Sequence, residues 1–363
     1  MDVHKNSFSL CAYDGYTGEI VSESTFASDV KLVIKFIETL KSRYENDVEI
    51  KCGYEAGCLG YSLYKSLTAR GVDCVILAPT TMQVSAKNKM VKNDRMDALN
   101  IAKNLASGSY KSVYVPDEED VEIKEYIRMI HDFKKELKRV KQEICAFVLR
   151  HGYQYDGKSK WTIRYMNWIR ELEMSEIQRE TLNEYIAEME NLNDKINRFM
   201  NRIDEMYQSE RYHEKVSKLR CFKGIETFAA MTIQVETADF ERFPSAKAYA
   251  SYTGLTTGEH SSGDKNNRIG ITKQGNTVIR KTLVECAQSL VKGNVYEKKS
   301  QGLKSRQKGM DVNIIAYADK ATERLKKKYQ KLIERNVPRN KAIVAVAREL
   351  ACFIWGMETG NIH

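Results

Sequence analysis

Four acidic residues stand where their side chains could bind metal ions. Asp2 heads the first strand-like segment, and Glu55 directly follows the second, a position from which side chains project from a sheet edge toward a cleft. Asp94 and Asp97 share one face of the segment 93–99 if that segment is helical. Four converging carboxylates repel one another unless cations neutralise them. Oxygen ligands suit Mg²⁺, and two such ions can activate and stabilise the oxygens of a phosphoryl transfer.

The same acids allow a structural interpretation. Asp94 could be the N-cap of a helix, and Asp97 a solvated first-turn acid favoured by the helix dipole. For a single acid this interpretation is more natural than metal binding, so the hypothesis of a metal site depends on the set of four.

A histidine and two serines lie together in Glu259-His260-Ser261-Ser262-Gly263. A serine nucleophile needs a base to activate it, and that base needs an orienting group. Residues so close in sequence seldom face each other in this way, and no acid is placed to orient His260. Spacing alone therefore identifies Ser261 and Ser262 only as loop residues.

The acids must be positioned by the elements of residues 1 to about 115. Residues 7–13 alternate apolar and polar side chains, Asp14-Gly15 predicts a turn, and residues 19–24 continue a hairpin. The patterns that follow are a helix at 29–45, a strand at 48–54, a helix at 59–70 and a β-rich run at 72–77. A hairpin followed by alternating strands and helices predicts an α/β domain with a mixed sheet.

Two apolar stripes at three-and-four spacing run through a charged, proline-free region from about 118 to 215. The stripes consist of Ile123, Ile127, Ile130, Phe133, Leu137, Val140, Ile144 and Phe147, and of Leu182, Ile186, Met189, Leu192, Ile196, Phe199 and Ile203. They predict two long helices in an antiparallel or intermolecular coiled coil. We expect these helices to pair between subunits, because each stripe needs a partner surface.

The remainder is predicted to be compact and mainly helical. We expect a helical hairpin around Gly224, a loop-rich centre at 253–276, and helices at about 277–292, 311–335 and 339–356. The predicted domains are thus an α/β domain at 1–117, a helical coiled-coil domain at 118–215 and a C-terminal domain at 216–363.

Charge is distributed unevenly along the chain. The formal net charge is +9, yet residues 261–363 contain 21 Lys and Arg against 9 Asp and Glu. Such a basic segment favours a polyanionic partner, because binding of phosphates by Lys and Arg releases counterions.

Eight scattered cysteines without zinc spacing are typical of a protein in a reducing cytoplasm. The absence of a long apolar run or a signal peptide argues against a membrane or secreted protein.

Several motifs, taken in order, resemble a known family. The acids lie in Asp2-Val3-His4-Lys5, in Tyr54-Glu55-Ala56-Gly57 and in Lys92-Asn93-Asp94-Arg95-Met96-Asp97-Ala98, and further motifs lie at 243–255, 261–263 and 270–276. Together they resemble the DEDD transposases of the IS110 insertion-sequence family, which are relatives of the Piv invertases. The resemblance implies a RuvC-like catalytic domain of the RNase H type at 1–117 and a C-terminal transposase domain at 216–363.

The sequence departs from the family pattern at two places. The family usually has several apolar residues before the first aspartate, whereas Asp2 here follows Met1. Either the recorded start lies too late or the metal site is weakened. The segment Cys221-Phe222-Lys223-Gly224-Ile225-Glu226 lacks a proline and a second glycine common in the family, so we weigh an ordinary helix connection equally with contact to DNA.

The resemblance implies a mechanism for this chain. Ser262 aligns with the reactive serine, which would form a phosphoserine ester with DNA, while Asp2, Glu55, Asp94 and Asp97 would hold Mg²⁺. Family members use a bridge RNA from their own element that pairs with donor and target DNA, so that base pairing selects the sequence. A homo-oligomer, dimer or tetramer, would hold the two DNAs.

Two groups of residues are candidates for contact with nucleic acid. Lys273, Gly275, Asn276 and Arg280 open a helix and could hold phosphate oxygens. A second group places charge along one side of a later helix, unless that helix is merely solvated, and consists of Lys320, Arg324, Lys327, Lys328 and Lys331. Tyr249 and Tyr252 could stack on bases, although such residues are more often core.

Two alternatives to a guided recombinase stay open. A metal-dependent nuclease of the RuvC kind, such as a Holliday-junction resolvase, would need the four acids but not Ser262. An inactive nucleic-acid-binding relic would need neither.

Overall fold

The computed structural model describes residues 1–44, 48–57, 59–83, 93–259 and 268–362. The chain forms two compact units, Met1–Pro116 and Asp117–His363. Helices dominate, and the strands form small sheets, so the fold is mixed α and β. The further division of the second unit at residue 215 stays a prediction.

The first unit contains the predicted hairpin. Its elements are β1 (Asp2–Val3), β2 (Ser7–Tyr13), β3 (Ile20–Ala27), α1 (Val30–Arg43), β4 (Lys51–Glu55), α2 (Ser62–Thr68), β5 (Asp73–Leu77) and α3 (Asp94–Ala106). The order β1-β2-β3 forms an antiparallel sheet, which confirms the hairpin. Strands β4 and β5 form a separate parallel pair, with Cys52 opposite Cys74.

The strands of this unit thus form two sheets where a single mixed sheet was predicted. Strand β1 is two residues long and pairs with β2, and among the described residues it forms no ladder with β4. A hydrogen bond of 2.8 Å from the Met1 ammonium to the Gly53 carbonyl links the two strands. Apolar side chains from both sheets and from α1 and α2 share one core, including Phe8, Val33, Tyr54 and Leu67.

The second unit is mainly helical. Its elements are α4 (Glu118–Arg150), α5 (Ile163–Glu171), α6 (Glu176–Tyr207), α7 (Glu210–Arg220), α8 (Thr227–Thr237), α9 (Ala246–Tyr252), β6 (Thr257–Glu259), β7 (Arg268–Ile271), α10 (Thr277–Leu290), α11 (Gln301–Gln307), α12 (Val312–Glu334) and α13 (Arg339–Glu358). The centre predicted to be loop-rich contains the antiparallel pair β6 and β7, in which Thr257 is opposite Ile271. The C-terminal helices have nearly the predicted bounds.

The two long helices pack against each other within one chain. Phe133 of α4 contacts Phe199 of α6 at a ring distance of 5.3 Å, and Phe147 contacts Tyr185 at 6.1 Å. Because the later residue of α4 meets the earlier residue of α6, the pair is antiparallel. Most residues of both stripes are buried in this packing and against the neighbouring helices, and Phe133, Leu137 and Phe199 are partly buried. Each stripe thus finds a partner within the chain, as the antiparallel alternative predicted, and pairing between subunits stays a prediction.

Candidate functional site

Asp2 lies at the edge of the antiparallel sheet, opposite Ser9. Its side chain is 15% exposed. Burial raises the pKa of Asp2 above its ordinary value, and the nearby carboxylates of Asp94 and Asp97 raise it further, whereas His4 lowers it. A carboxyl group crowded by other acids favours a cation beside it.

Helix α3 brings the next two acids to this point. Its N-cap is Asn93, whose side-chain oxygen accepts a hydrogen bond of 2.9 Å from the Met96 amide. The alternative that Asp94 is the N-cap is thus wrong, because Asp94 begins the helix and lies with Asp97 in its first turn. Arg95 donates to Glu23 of β3 at 2.8 Å, which ties the start of α3 to the hairpin.

His4 lies between the two best-placed carboxylates. Its Nε2 is 3.2 Å from Asp2 Oδ2 and 3.6 Å from Asp94 Oδ1. The potential ligand atoms of Asp2, His4 and Asp94 all lie within 4.8 Å of one another. A protonated imidazole can neutralise both acids, and a neutral one can join them as a metal ligand. This donor set fits a divalent metal.

Sequence reasoning did not select His4 as a site residue. The sequence feature that could have identified His4 was its place in the first acidic motif, two residues after Asp2 and just past the end of β1.

Glu55 is the last residue of β4 and is opposite Leu77 of β5. The structure brings Asp2 and Asp94 together, with Asp97 close enough to influence Asp2; the inclusion of Glu55 in the same site stays a prediction.

Ser262 lies outside the described residues, between β6 and β7 in the sequence. The segment that follows β7 approaches α9 closely. Gly275 has φ of 105°, and a Cβ added there would lie 2.0 Å from the Tyr252 carbonyl oxygen, so only glycine fits. Lys273 has φ of 57° and an exposed side chain, which leaves its ammonium accessible to a ligand.

Asn276 holds this segment to the rest of the unit. Its Oδ1 caps α10 by accepting from the amides of Val278 at 2.9 Å and Ile279 at 3.1 Å. Its Nδ2 donates to Glu236 of α8 at 2.7 Å. Arg280 donates from Nη1 to the Thr253 carbonyl at 3.2 Å. The side-chain oxygen and nitrogen of Asn276 thus both form hydrogen bonds within the protein. These bonds account for an asparagine at this position without the predicted contact with phosphate.

Glu236 is a buried acid that sequence reasoning missed. Its side chain is fully buried, and it accepts hydrogen bonds from Arg128 of α4 at 2.8 and 3.0 Å. Lys124 lies 3.5 Å away. Although burial opposes ionisation, these donors hold the pKa of Glu236 below its ordinary value. Tyr252 donates to the Glu236 carbonyl at 3.0 Å, and Tyr249 is buried, so both tyrosines have structural contacts.

The cations predicted along α12 divide into two groups. Arg324 and Lys328 both contact Glu349 of α13, at 2.5 and 2.6 Å, and Lys327 pairs with Glu323. Lys320 and Lys331 are exposed, and the described part of the chain offers them no ion pair within 4 Å. Internal pairing therefore reduces the charge that this helix presents to a polyanion.

Gly224 has a packing role. Its φ is 85°, and an added Cβ would lie 2.6 Å from the Cys286 carbonyl oxygen in α10. Lys223 donates to the Lys292 carbonyl at 2.6 Å and pairs with Glu297. These contacts favour the interpretation of residues 221–226 as a helix connection.

Comparison with known proteins identifies relatives over nearly the whole chain. Residues 1–152 match the DEDD transposase domain of the IS110 type, and residues 216–301 match the family described as Transposase IS116/IS110/IS902. The Sinorhizobium fredii protein y4qE, named as a transposase, is 31% identical over 97% of this chain and 85% of its own length. The transposase for insertion sequence element IS1533 of Leptospira borgpetersenii is 30% identical over 92% of this chain and 95% of its own.

Across the described ranges, no helix is both long enough and apolar enough to cross a membrane.

The acids at the start of β1 and α3 lie within the DEDD domain match, and the capped segment before α10 lies within the second match. The chain belongs to the IS110 family of insertion-sequence transposases.

Proposed function

We propose that this transposase is an RNA-guided recombinase that cuts and rejoins donor and target DNA through a phosphoserine intermediate at Ser262. The observation that carries the proposal is the convergence of Asp2, His4 and Asp94, with Asp97 nearby, at one edge of a small sheet. Such a cluster fits a divalent metal, for which we propose Mg²⁺, with Glu55 completing the site. The RuvC-like character of the first unit belongs to the same proposal.

The chemistry exchanges one ester bond for another. The Ser262 oxygen forms a bond to phosphorus and loses its proton, while a DNA oxygen leaves as a strand terminus. A hydroxyl of the partner strand then attacks the same phosphorus, and the serine oxygen leaves and regains a proton. A bound Mg²⁺ would lower the pKa of an attacking hydroxyl and stabilise the developing charge. Lys273, before α10, would neutralise phosphate oxygens.

Guidance by RNA and assembly into a dimer or tetramer complete the proposal. The family resemblance supports a bridge RNA, and the exposed Lys320 and Lys331 add sites for phosphates. Light scattering with and without RNA tests assembly, and a strict monomer in both would contradict it.

A suicide DNA substrate tests the intermediate. We expect a covalent adduct that mass spectrometry maps to Ser262, that is lost in Ser262→Ala, and that persists in the matched variant Ser261→Ala. An adduct on Ser261 or on a tyrosine would overturn the assignment. Full strand cleavage by Ser262→Ala without any adduct would favour a metal-dependent nuclease of the RuvC kind.

RNA guidance is tested separately from the serine. We expect RNA that copurifies with the protein to contain segments complementary to the two DNA sites. When the segment complementary to the target DNA is changed, recombination should move to a new target. Recombination that ignores changes in the RNA would contradict guidance while leaving the phosphoserine step intact.

A further inference from the structure

A cavity of about 800 Å³ lies beside the C-terminal half of α4. The far wall consists of the connection after α4 and of α5. Its lining includes five aromatic residues, which are Tyr153, Tyr155, Trp161, Tyr165 and Trp168. Two of the three tryptophans of the chain are thus gathered in one place. The acid site of the first unit and the segment before α10 contribute nothing to this cavity.

The aromatic rings form a connected cluster. Tyr155 lies 5.0 Å from both Tyr165 and Trp168, and Trp161 lies 5.2 Å from Tyr165, measured between ring centroids. Tyr165 is buried, whereas Tyr155, Trp161 and Trp168 are only half-buried and keep ring surface facing solvent. Trp161 has φ of 65°, a conformation that bulky residues rarely adopt. The cluster therefore holds partly exposed aromatic faces in fixed positions.

Four lysines line the same cavity as these rings, which are Lys134, Lys138, Lys141 and Lys160. Lys141 Nζ lies 5.3 Å from the Trp161 ring centroid, and Lys160 Nζ lies 3.6 Å from Cys145 Sγ. Among the described residues, Lys138, Lys141 and Lys160 have no carboxylate within 4 Å, and none of the lining residues is acidic. The positive charge at this cavity is thus not neutralised by the protein itself.

We propose that this cavity binds unpaired nucleotides of a single-stranded nucleic acid. Bases stack on aromatic side chains whatever their sequence, and lysines beside the rings bind the backbone phosphates. A duplex keeps its bases stacked on each other and cannot offer them to Trp161 or Tyr155. The binding is independent of the acids and of Ser262, so it goes beyond the proposed recombination chemistry. A guide RNA and a displaced DNA strand share the chemistry that this cavity recognises.

Photocrosslinking to the full chain tests the proposal directly. The probes are a short RNA containing 4-thiouridine, the single-stranded DNA containing 4-thiothymidine, and the same DNA as a duplex. We expect crosslinks in the peptide 153–168 with a single-stranded probe and none there with the duplex. Crosslinks with RNA alone identify a guide as the source, and crosslinks with DNA alone identify a displaced strand.

Variants provide the second measurement. Trp161→Ala should weaken single-strand binding at this site about tenfold, and Trp161→Phe should recover most of it, because stacking needs an aromatic face. Lys138→Ala/Lys141→Ala should reduce the dependence of log K on log salt by about 1.4, since each phosphate contact contributes roughly 0.7. The matched control is Lys31→Ala/Lys35→Ala on α1, where both lysines are exposed and the charge change is equal.

Two outcomes would overturn the proposal. One is the absence of crosslinks at 153–168 with either single-stranded probe. The other is protection of these residues in an assembly free of nucleic acid, which would identify a protein partner instead. Because crosslinking uses the unaltered chain, the test holds even if Trp161→Ala fails to fold.

Discussion

The carboxylate of Glu236 in α8 accepts a hydrogen bond of 2.7 Å from the side-chain amide of Asn276, the N-cap of α10. The same carboxylate binds Arg128 and lies near Lys124, both from α4. One buried acid therefore joins the first long helix, α8 and the segment that follows β7. This network holds the segment between β7 and α10, which follows the proposed nucleophile, Ser262, in the sequence.

We predict that Glu236→Gln destabilises the protein. Removing the charge weakens the ion pairs that the buried carboxylate makes with Arg128 and Lys124, which should lower the free energy of unfolding by about 3 kcal/mol. Denaturant unfolding measures the change. The matched control is Glu205→Gln on α6, where the exposed pair with Arg202 should contribute less than about 1 kcal/mol. Equal effects of the two substitutions would contradict the role of Glu236.

Metal binding should depend on the acids at the start of β1 and α3. Asp94→Asn removes one carboxylate of the cluster with Asp2 and His4, so we expect affinity for Mg²⁺ or Mn²⁺ to fall at least about tenfold. Titration calorimetry measures affinity, and the rise in melting temperature on adding metal gives a second readout. Asp73→Asn at the start of β5 is the matched control, because Asp73 is exposed and pairs only loosely with Lys51 at 4.0 Å. Unchanged metal affinity in Asp94→Asn would exclude this site.

Two glycines with similar backbone angles should respond differently to alanine. Gly224 has φ of 85° and Gly309 has φ of 83°, so both substitutions place a side chain in a left-handed conformation that costs roughly 1–2 kcal/mol. A Cβ at Gly224 also meets the α10 backbone, whereas a Cβ at Gly309 has nothing described within 4 Å. Gly224→Ala should therefore lower the free energy of unfolding by about 2 kcal/mol more than Gly309→Ala. Equal losses would mean that the close approach to α10 is not tight in solution.

Stability should depend on pH through Glu358 near the end of α13. Burial raises the pKa of Glu358 to about 7, and its Oε1 has no hydrogen-bond partner among the described residues. The folded chain then binds a proton more tightly than the unfolded chain, so stability falls as pH rises from 4.5 to about 7.

Glu358→Gln removes this dependence. We expect the free energy of unfolding at pH 8 to increase by about 1–2 kcal/mol and the difference to vanish near pH 4.5. Glu334→Gln in α12 is the control, because its exposed carboxylate is solvated in both states. A variant that is less stable than the parent at pH 8 would show that the charged carboxylate has a stabilising partner.

Local sequence patterns were sufficient to predict the hairpin, the long helices and part of the site, but not α5 or the pair β6 and β7. Apolar spacing gave the long helices and nearly the bounds of α10, α12 and α13, because periodicity reports which face of a helix is buried. The spacing of Asp94 and Asp97 placed both acids in one helical turn for the same reason. The order of the motifs identified the family without any knowledge of contacts.

The faces that pack against each other could be known only from the folded chain. The stripes of α4 and α6 could equally have joined two chains, and their pairing within one chain depends on the turn through α5 that returns α6 alongside α4. His4 became part of the acid cluster because folding places α3 against β1, and Glu236 found Asn276 because α8 packs on α10. Local sequence patterns indicate backbone periodicity and burial, but they do not indicate which residue distant along the chain a side chain will contact. That choice depends on the shape and charge of surfaces that exist only after folding.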